Sequence, residues 1–285
     1  MWPCLRASLA LAAALLGGLA AAEPRVDELS IKLASGRELV AQVRIPENAP
    51  GPLPAVMLFG GFRGASTVLD AVPTDLALVV ASFDYPFDPP RDFKFPQGFA
   101  QLPAVGRGID ETLEGIRRLT AQLRARPDVD PQRITIVGAS LGAPFAVVAA
   151  AELGLPGLVV VHGFGDLPGV IAQQFIHALE TRYGSWVRGP SRAFAELLVW
   201  AYELPPPEEH ALRLQAQQRA LMIVAADDEL IPFSASEALW AGLQASAATV
   251  ERIDETGAHL RGSDDPRIAG LVRQATDWMS RNGLR

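Results

Sequence analysis

Six short apolar runs, separated by longer stretches of helical period, restrict this chain to very few architectures. They occupy residues 55–59, 77–83, 134–137, 157–161, 221–225 and 249–253. Each is continuous and rich in β-branched residues, a pattern that suits strands covered on both faces of a parallel sheet. Between the second and third, residues 106–124 place Ile109, Leu113, Ile116, Leu119 and Leu123 at helical spacing with charges between them. Strands alternating with helices imply βαβ units joined by right-handed crossovers. Ahead of them, residues 28–33 and 38–45 alternate apolar with polar about Ser35-Gly36, the signature of an antiparallel hairpin. The expected fold class is therefore α/β: a mostly parallel twisted sheet with an N-terminal antiparallel hairpin and helices on both faces.

Two intervals break the rhythm. Residues 168–218 hold about three helical patterns, one at 193–202, where a single crossover helix would suffice. They predict a helical cap inserted before the penultimate strand. Residues 86–103 carry Pro86, Pro89, Pro90, Pro96 and Pro103 among several phenylalanines, which forbids a regular element there.

The N-terminus reads as a leader. Arg6 precedes an uncharged Leu/Ala-rich run at residues 7–22, and Ala20-Ala21-Ala22 offers a cleavage site before Glu23. Those parts make a secretory signal peptide over residues 1–22, a mature domain at 23–285, and a secreted or periplasmic location. The run is short of the ~18–20 residues a span needs, so no stable membrane anchor is expected. Cys4, the one cysteine, would leave with the leader, and the mature domain would rest on its core without a disulfide. The net charge is −7 and the basic residues are scattered, which argues against nucleic acid as a partner. No cluster of His and Cys suggests a metal site. Oligomeric state is not legible.

Gly138-Ala139-Ser140-Leu141-Gly142 fits G-x-S-x-G, directly after the run at 134–137 and before an Ala-rich helical pattern at 141–152. Strand, sharp turn and helix are the context of a nucleophile elbow. Glycines there let strand and helix pack closely, and the serine stands at the N-terminal end of a helix dipole. A serine needs a base, and the base an orienting acid. Of the four histidines, His177 and His210 fall on polar helical segments of the cap and read as solvated. His162 ends a strand and reads as a packed, hydrogen-bonded residue. His259 lies in a Gly-containing loop beyond the last strand, where a base could swing over the sheet edge.

The candidate acid lies in Asp227-Asp228-Glu229, where the run at 221–225 enters a carboxylate-rich turn. Asp228 is favoured by its register with the Ile231-Pro232 ending; Asp227 and Glu229 stay open as neighbours, and Asp166 as the alternative position. The chain order Ser140, Asp228, His259 is that of α/β-hydrolases, distinct from the chymotrypsin and subtilisin orders.

On these motifs the chain resembles an α/β-hydrolase. Asp130-Pro131-Gln132-Arg133-Ile134 leading into the elbow makes it similar to the dienelactone-hydrolase and prolyl-oligopeptidase-like branch. The resemblance covers nearly all of residues 26–285 and is weakest across the cap. It implies an oxyanion hole with one donor at the Leu141 N–H and the second in Gly60-Gly61-Phe62-Arg63-Gly64. By similarity to the family's His-Gly-x pattern that donor is Phe62, although Gly60 stands where His is frequent. It also implies acyl transfer on a small-molecule ester, lactone or thioester, with no cofactor and no metal. A peptidase is the second reading, and a non-catalytic binding protein on the same scaffold is a reading of another class. The aromatic residues of the cap, Trp186 and Trp200 foremost, are expected to wall an acyl pocket over Ser140.

Overall fold

The computed structural model describes residues 24–47, 51–61, 64–87, 102–260 and 265–285. The leader reading of residues 1–22, the donor expected at Phe62 and most of the proline-rich stretch lie outside the described residues.

Eight strands form one sheet in the order β1-β2-β4-β3-β5-β6-β7-β8. The strands are β1 (Arg25–Lys32), β2 (Glu38–Ile45), β3 (Leu53–Phe59), β4 (Val79–Phe83), β5 (Val129–Ala139), β6 (Gly157–Val161), β7 (Arg219–Ala225) and β8 (Thr249–Glu255). β1 pairs with β2, and β2 with β4, antiparallel; every other pairing is parallel. The mostly parallel sheet with its N-terminal antiparallel hairpin is the arrangement expected from the apolar runs.

Period-two alternation decides which face each strand residue serves. Ala55, Met57, Ile134, Ile136, Leu158, Val160, Met222 and Val224 point into one core. Val56, Val137, Val159, Val161, Leu221 and Ile223 point into the other. The first core is covered by α2 (Leu102–Arg124), α3 (Gly142–Leu153) and α7 (Phe233–Ala245) through Ile116, Leu119, Phe145 and Leu239. The second is covered by α1 (Ala65–Asp70) and α8 (Ile268–Arg281) through Leu69, Leu271, Trp278 and Met279. Burial of each such side chain contributes about 1.5–3 kcal/mol against leaving it exposed. The helices thus lie on both faces.

β5 is longer than the run at 134–137 because it starts at Val129, which pairs with Leu53 ahead of a register irregularity that resumes at Ile134 opposite Ala55. There Asp130 accepts from the Gln132 N–H at 2.9 Å and from Arg133 Nε at 2.6 Å, which tightens the irregular segment. β4 begins at Val79 rather than residue 77, since Leu78 N–H turns back to Leu76 O.

Between β6 and β7 stand α4 (Leu167–Tyr183), a 3₁₀ turn at Ser185–Val187, α5 (Arg188–Ala201) and the short α6 (Pro207–Ala211). This is the helical insertion before the penultimate strand. It is seated by a small cluster of Phe164, Val170, Ile231 and Ala235 at the sheet edge. Phe175 of α4 and Phe194 of α5 meet edge to face at 5.2 Å, an aromatic contact that fixes the two helices together. No helix among the described residues is long and apolar enough to cross a membrane.

Candidate active site

Ser140 follows β5 directly and precedes α3, with φ of +52°. A left-handed backbone at a residue with a β-carbon costs roughly 1–2 kcal/mol, so the surrounding structure must hold it there. Part of the restraint is the Ser140 N–H, which donates to Val161 O of β6 at 2.9 Å. The flanking glycines are required by space. A β-carbon at Gly138 would stand 2.6 Å from Ala146 Cβ and 2.7 Å from Ala143 Cα. One at Gly142 would run into the Phe59 carbonyl. Close contact among β3, β5 and α3 therefore forces the sharp turn, and the turn raises the serine above the sheet edge.

His259 reaches that edge from the loop after β8. Its Nε2 is 2.8 Å from Ser140 Oγ and its Nδ1 is 2.7 Å from Asp228 Oδ2. An ionised carboxylate only accepts, so the ring hydrogen sits on Nδ1 and donates to Asp228. Nε2 is left as the acceptor for the Ser140 hydroxyl. Asp228 Oδ1 accepts from the N–H groups of Leu230 and Ile231, both at 2.9 Å. Burial pushes the Asp228 carboxyl up, but the His259 hydrogen bond and those two backbone N–H groups outweigh it and hold it below the usual carboxylate range.

The three adjacent carboxylates divide the work of holding His259. Asp227 Oδ2 accepts from the Gly257 N–H at 3.3 Å, Glu229 Oε2 from the His259 N–H at 3.1 Å, and Asp228 alone takes the ring. Arg267 Nη1 adds a 2.7 Å hydrogen bond to Ala258 O in the same loop. The alternative position, Asp166, is used elsewhere: it accepts from the Gly169 N–H at the start of α4 and pairs with Arg192 at 3.1 Å.

Of the expected donors, Leu141 stands at the N-terminal boundary of α3 beside Ser140, where the first N–H groups of a helix have no intrahelical acceptor. Phe62 lies outside the described residues. Beside it, Tyr85 Oη donates to Gly60 O at 2.7 Å, and Ala65 N–H donates to Asp84 Oδ1. Tyr85 and Asp84 thus hold Gly60 and Ala65.

The cap tryptophans stand in the open. Trp186 is 67% exposed in the 3₁₀ turn and Trp200 is 76% exposed on α5. The buried line of α5 runs through Ser191 and Ala195, and Trp200 lies on the opposite side of the helix. His177 is exposed as expected. His210 is not solvated: it is 8% exposed, with Nδ1 2.9 Å from Pro206 O, because α6 packs its inner face on α3 and α7.

His162 carries more than its sequence position suggests. It is buried, with Nε2 2.7 Å from Glu255 Oε1 at the end of β8, and its ring centroid lies 5.6 Å from that of His259. Burial pulls the imidazole below its ordinary value while Glu255 opposes the shift. The only sequence signal for this pair was the strand-end placement of both residues.

No family model matches the chain, and no curated protein sequence matches it. Solved structures do. Acetyl xylan esterase 1 from Thermoanaerobacterium sp. JW/SL YS485 superposes with a TM-score of 0.61 at 16% identity, covering 92% of this chain and 84% of that one. A dienelactone-hydrolase candidate from Klebsiella pneumoniae subsp. pneumoniae MGH 78578 gives 0.61 at 21%, over 90% and 98%. The chain has the α/β-hydrolase fold. A prolyl endopeptidase chain shares that fold at 0.61 and 16% identity, with 91% of this chain matching 38% of its length. Ser140, His259 and Asp228 meet at the C-terminal edge of the parallel strands, following β5, β8 and β7.

Proposed function

We propose that this protein is an extracytoplasmic serine hydrolase that cleaves a carboxylic ester, lactone or thioester by two-step acyl transfer. One observation carries the reading: His259 joins Ser140 Oγ and Asp228 Oδ2 through its two ring nitrogens, at 2.8 and 2.7 Å. In the first step His259 Nε2 takes the Ser140 proton as Oγ attacks the carbonyl carbon. Asp228 holds the Nδ1–H and stabilises the imidazolium. The Leu141 N–H and the Phe62 N–H are assigned to the developing oxyanion, the largest electrostatic contribution in reactions of this kind. His259 then gives its proton to the leaving alcohol or thiol, and water, deprotonated by the same ring, releases the acid and restores Ser140.

Trp186 and Trp200 are assigned to contact with the acyl group because they belong to the insertion that follows the C-terminal end of β6, the end of a parallel strand at which α/β folds bind ligands. The apolar run at residues 7–22 supports export. Treating purified protein with a fluorophosphonate probe tests the central assignment. Covalent labelling at Ser140 is expected, and a binding scaffold would not acylate. A panel of p-nitrophenyl esters, thioesters and peptide amides then separates esterase from peptidase.

A further inference from the structure

Beside the His259–Asp228 pair stands a group that the proposed reaction does not use. His162 is 2% exposed, and its backbone is held in the left-handed region at φ +49° by its N–H, which donates to Ile223 O of β7 at 2.8 Å. Its Nε2–H donates to Glu255 Oε1, which leaves Nδ1 as a bare lone pair. That Nδ1 is buried and has no hydrogen-bond partner among the described residues. An unpaired buried acceptor costs about 1–3 kcal/mol, so its persistence at this place asks for a partner. One ligand atom from each of His162, Asp228 and His259 lies within 4.8 Å of the others.

The surroundings match what a metal requires. A ligating histidine nearly always donates its second ring N–H to a carboxylate, a backbone carbonyl or water, which orients the ring and raises its basicity. Glu255 does this for His162 at 2.7 Å. Two imidazoles and one carboxylate with a fourth position left over are a donor set for zinc-like ions.

We propose that His162, Asp228 and His259 form an inhibitory site for a divalent transition-metal ion of the zinc type. The ion inserts between His259 Nδ1 and Asp228, with His162 Nδ1 as third ligand and water as fourth. The metal–Nδ1 bond replaces the N–H bond at that nitrogen. The displaced proton is balanced by one taken up at Nε2, so the ring stays neutral with its hydrogen on the other side. Nε2 then faces Ser140 as a donor and cannot accept the hydroxyl proton, which turns the base off. Ser140 itself is not a ligand. Metal binding is therefore independent of chemistry at the serine, whereas the inhibition rests on the hydrolase reading above.

Cobalt(II) titration of the Ser140→Ala protein tests the site without catalysis. An intense visible absorption of four-coordinate cobalt, displaced by one equivalent of zinc, is expected. His162→Phe in that background should abolish it. Glu255→Gln, which keeps all three ligands, should weaken binding ~10–100-fold, and circular dichroism checks that each variant is folded. With Ser140 intact, zinc should slow ester turnover, and the Glu255→Gln protein should need at least about tenfold more zinc for the same fractional inhibition. No visible cobalt band, or equal affinity in wild type and both variants, overturns the site. A cobalt band in a protein whose native form takes no fluorophosphonate label overturns the hydrolase reading and leaves the metal site standing.

Discussion

His259 Nδ1 lies 2.7 Å from Asp228 Oδ2, at a carboxylate whose other oxygen is already held by two backbone N–H groups. The pair is rigid because the backbone of the turn after β7 positions one partner and the other follows from it. If Asp228 sets the His259 tautomer, Asp228→Asn should lower kcat/KM by ~10⁴. Asp166→Asn should change it little, since Asn still caps α4. Ester turnover of the two variants side by side decides between them; the reverse ranking would move the acid to Asp166.

Ser140 is expected to carry all covalent labelling. Ser140→Ala should abolish it and lower kcat by on the order of 10⁶ while the far-ultraviolet circular dichroism is unchanged. Because φ is +52° there, Ser140→Gly should melt at a higher temperature than Ser140→Ala, by about 1 kcal/mol of stability. Equal melting temperatures would mean that the elbow stores no strain.

Arg126 joins the edge of the sheet to the start of β5, with Nη2 2.9 Å from Asp27 and 2.7 Å from Asp128. Its hydrogen bonds hold both carboxyls below their usual range. A depressed folded value contributes stability that is full above the unfolded value of ~3.9 and disappears as pH falls through the folded one. Arg126→Met should therefore cost about 1 kcal/mol at pH 7, and the gap in urea midpoints should close as the pH drops below ~3.9. A gap that persists in acid would assign the loss to packing.

Trp186 and Trp200 stand exposed on the cap, so truncating either should leave folding intact and show itself only in substrate choice. Relative kcat/KM across acyl lengths should shift by ~1–3 kcal/mol of discrimination for one lost contact, with medium or aromatic acyl esters losing most. If both Trp→Ala variants keep the wild-type chain-length profile, specificity lies elsewhere.

Export should leave a chain that begins at or near Glu23. Intact-mass measurement on protein from the native host checks this, and an N-terminal Met1 in a membrane fraction would identify the apolar run as an anchor.

Most of the fold and the three residues of the candidate centre were readable along the chain, because the forces behind them are local or periodic. Continuous β-branched runs mark doubly covered strands. Gly138 and Gly142 mark a turn that no β-carbon fits, and His259 is the one histidine on a loop past the last strand. Sequence could not rank Asp227, Asp228 and Glu229 with certainty, since the three are adjacent and each can reach the His259 loop. Only the tertiary arrangement distributes them, one to the ring and two to backbone N–H groups. Nor could it show that His162 shares a site with His259. β6 and β8 are not neighbours in the sheet, and what joins these two histidines is side-chain direction above its edge. The buried His210 escaped for the same reason: polar neighbours in sequence say nothing of which face of a short helix meets the core. Periodicity determines which residues are buried in an element, but only packing between elements determines which buried polar groups meet.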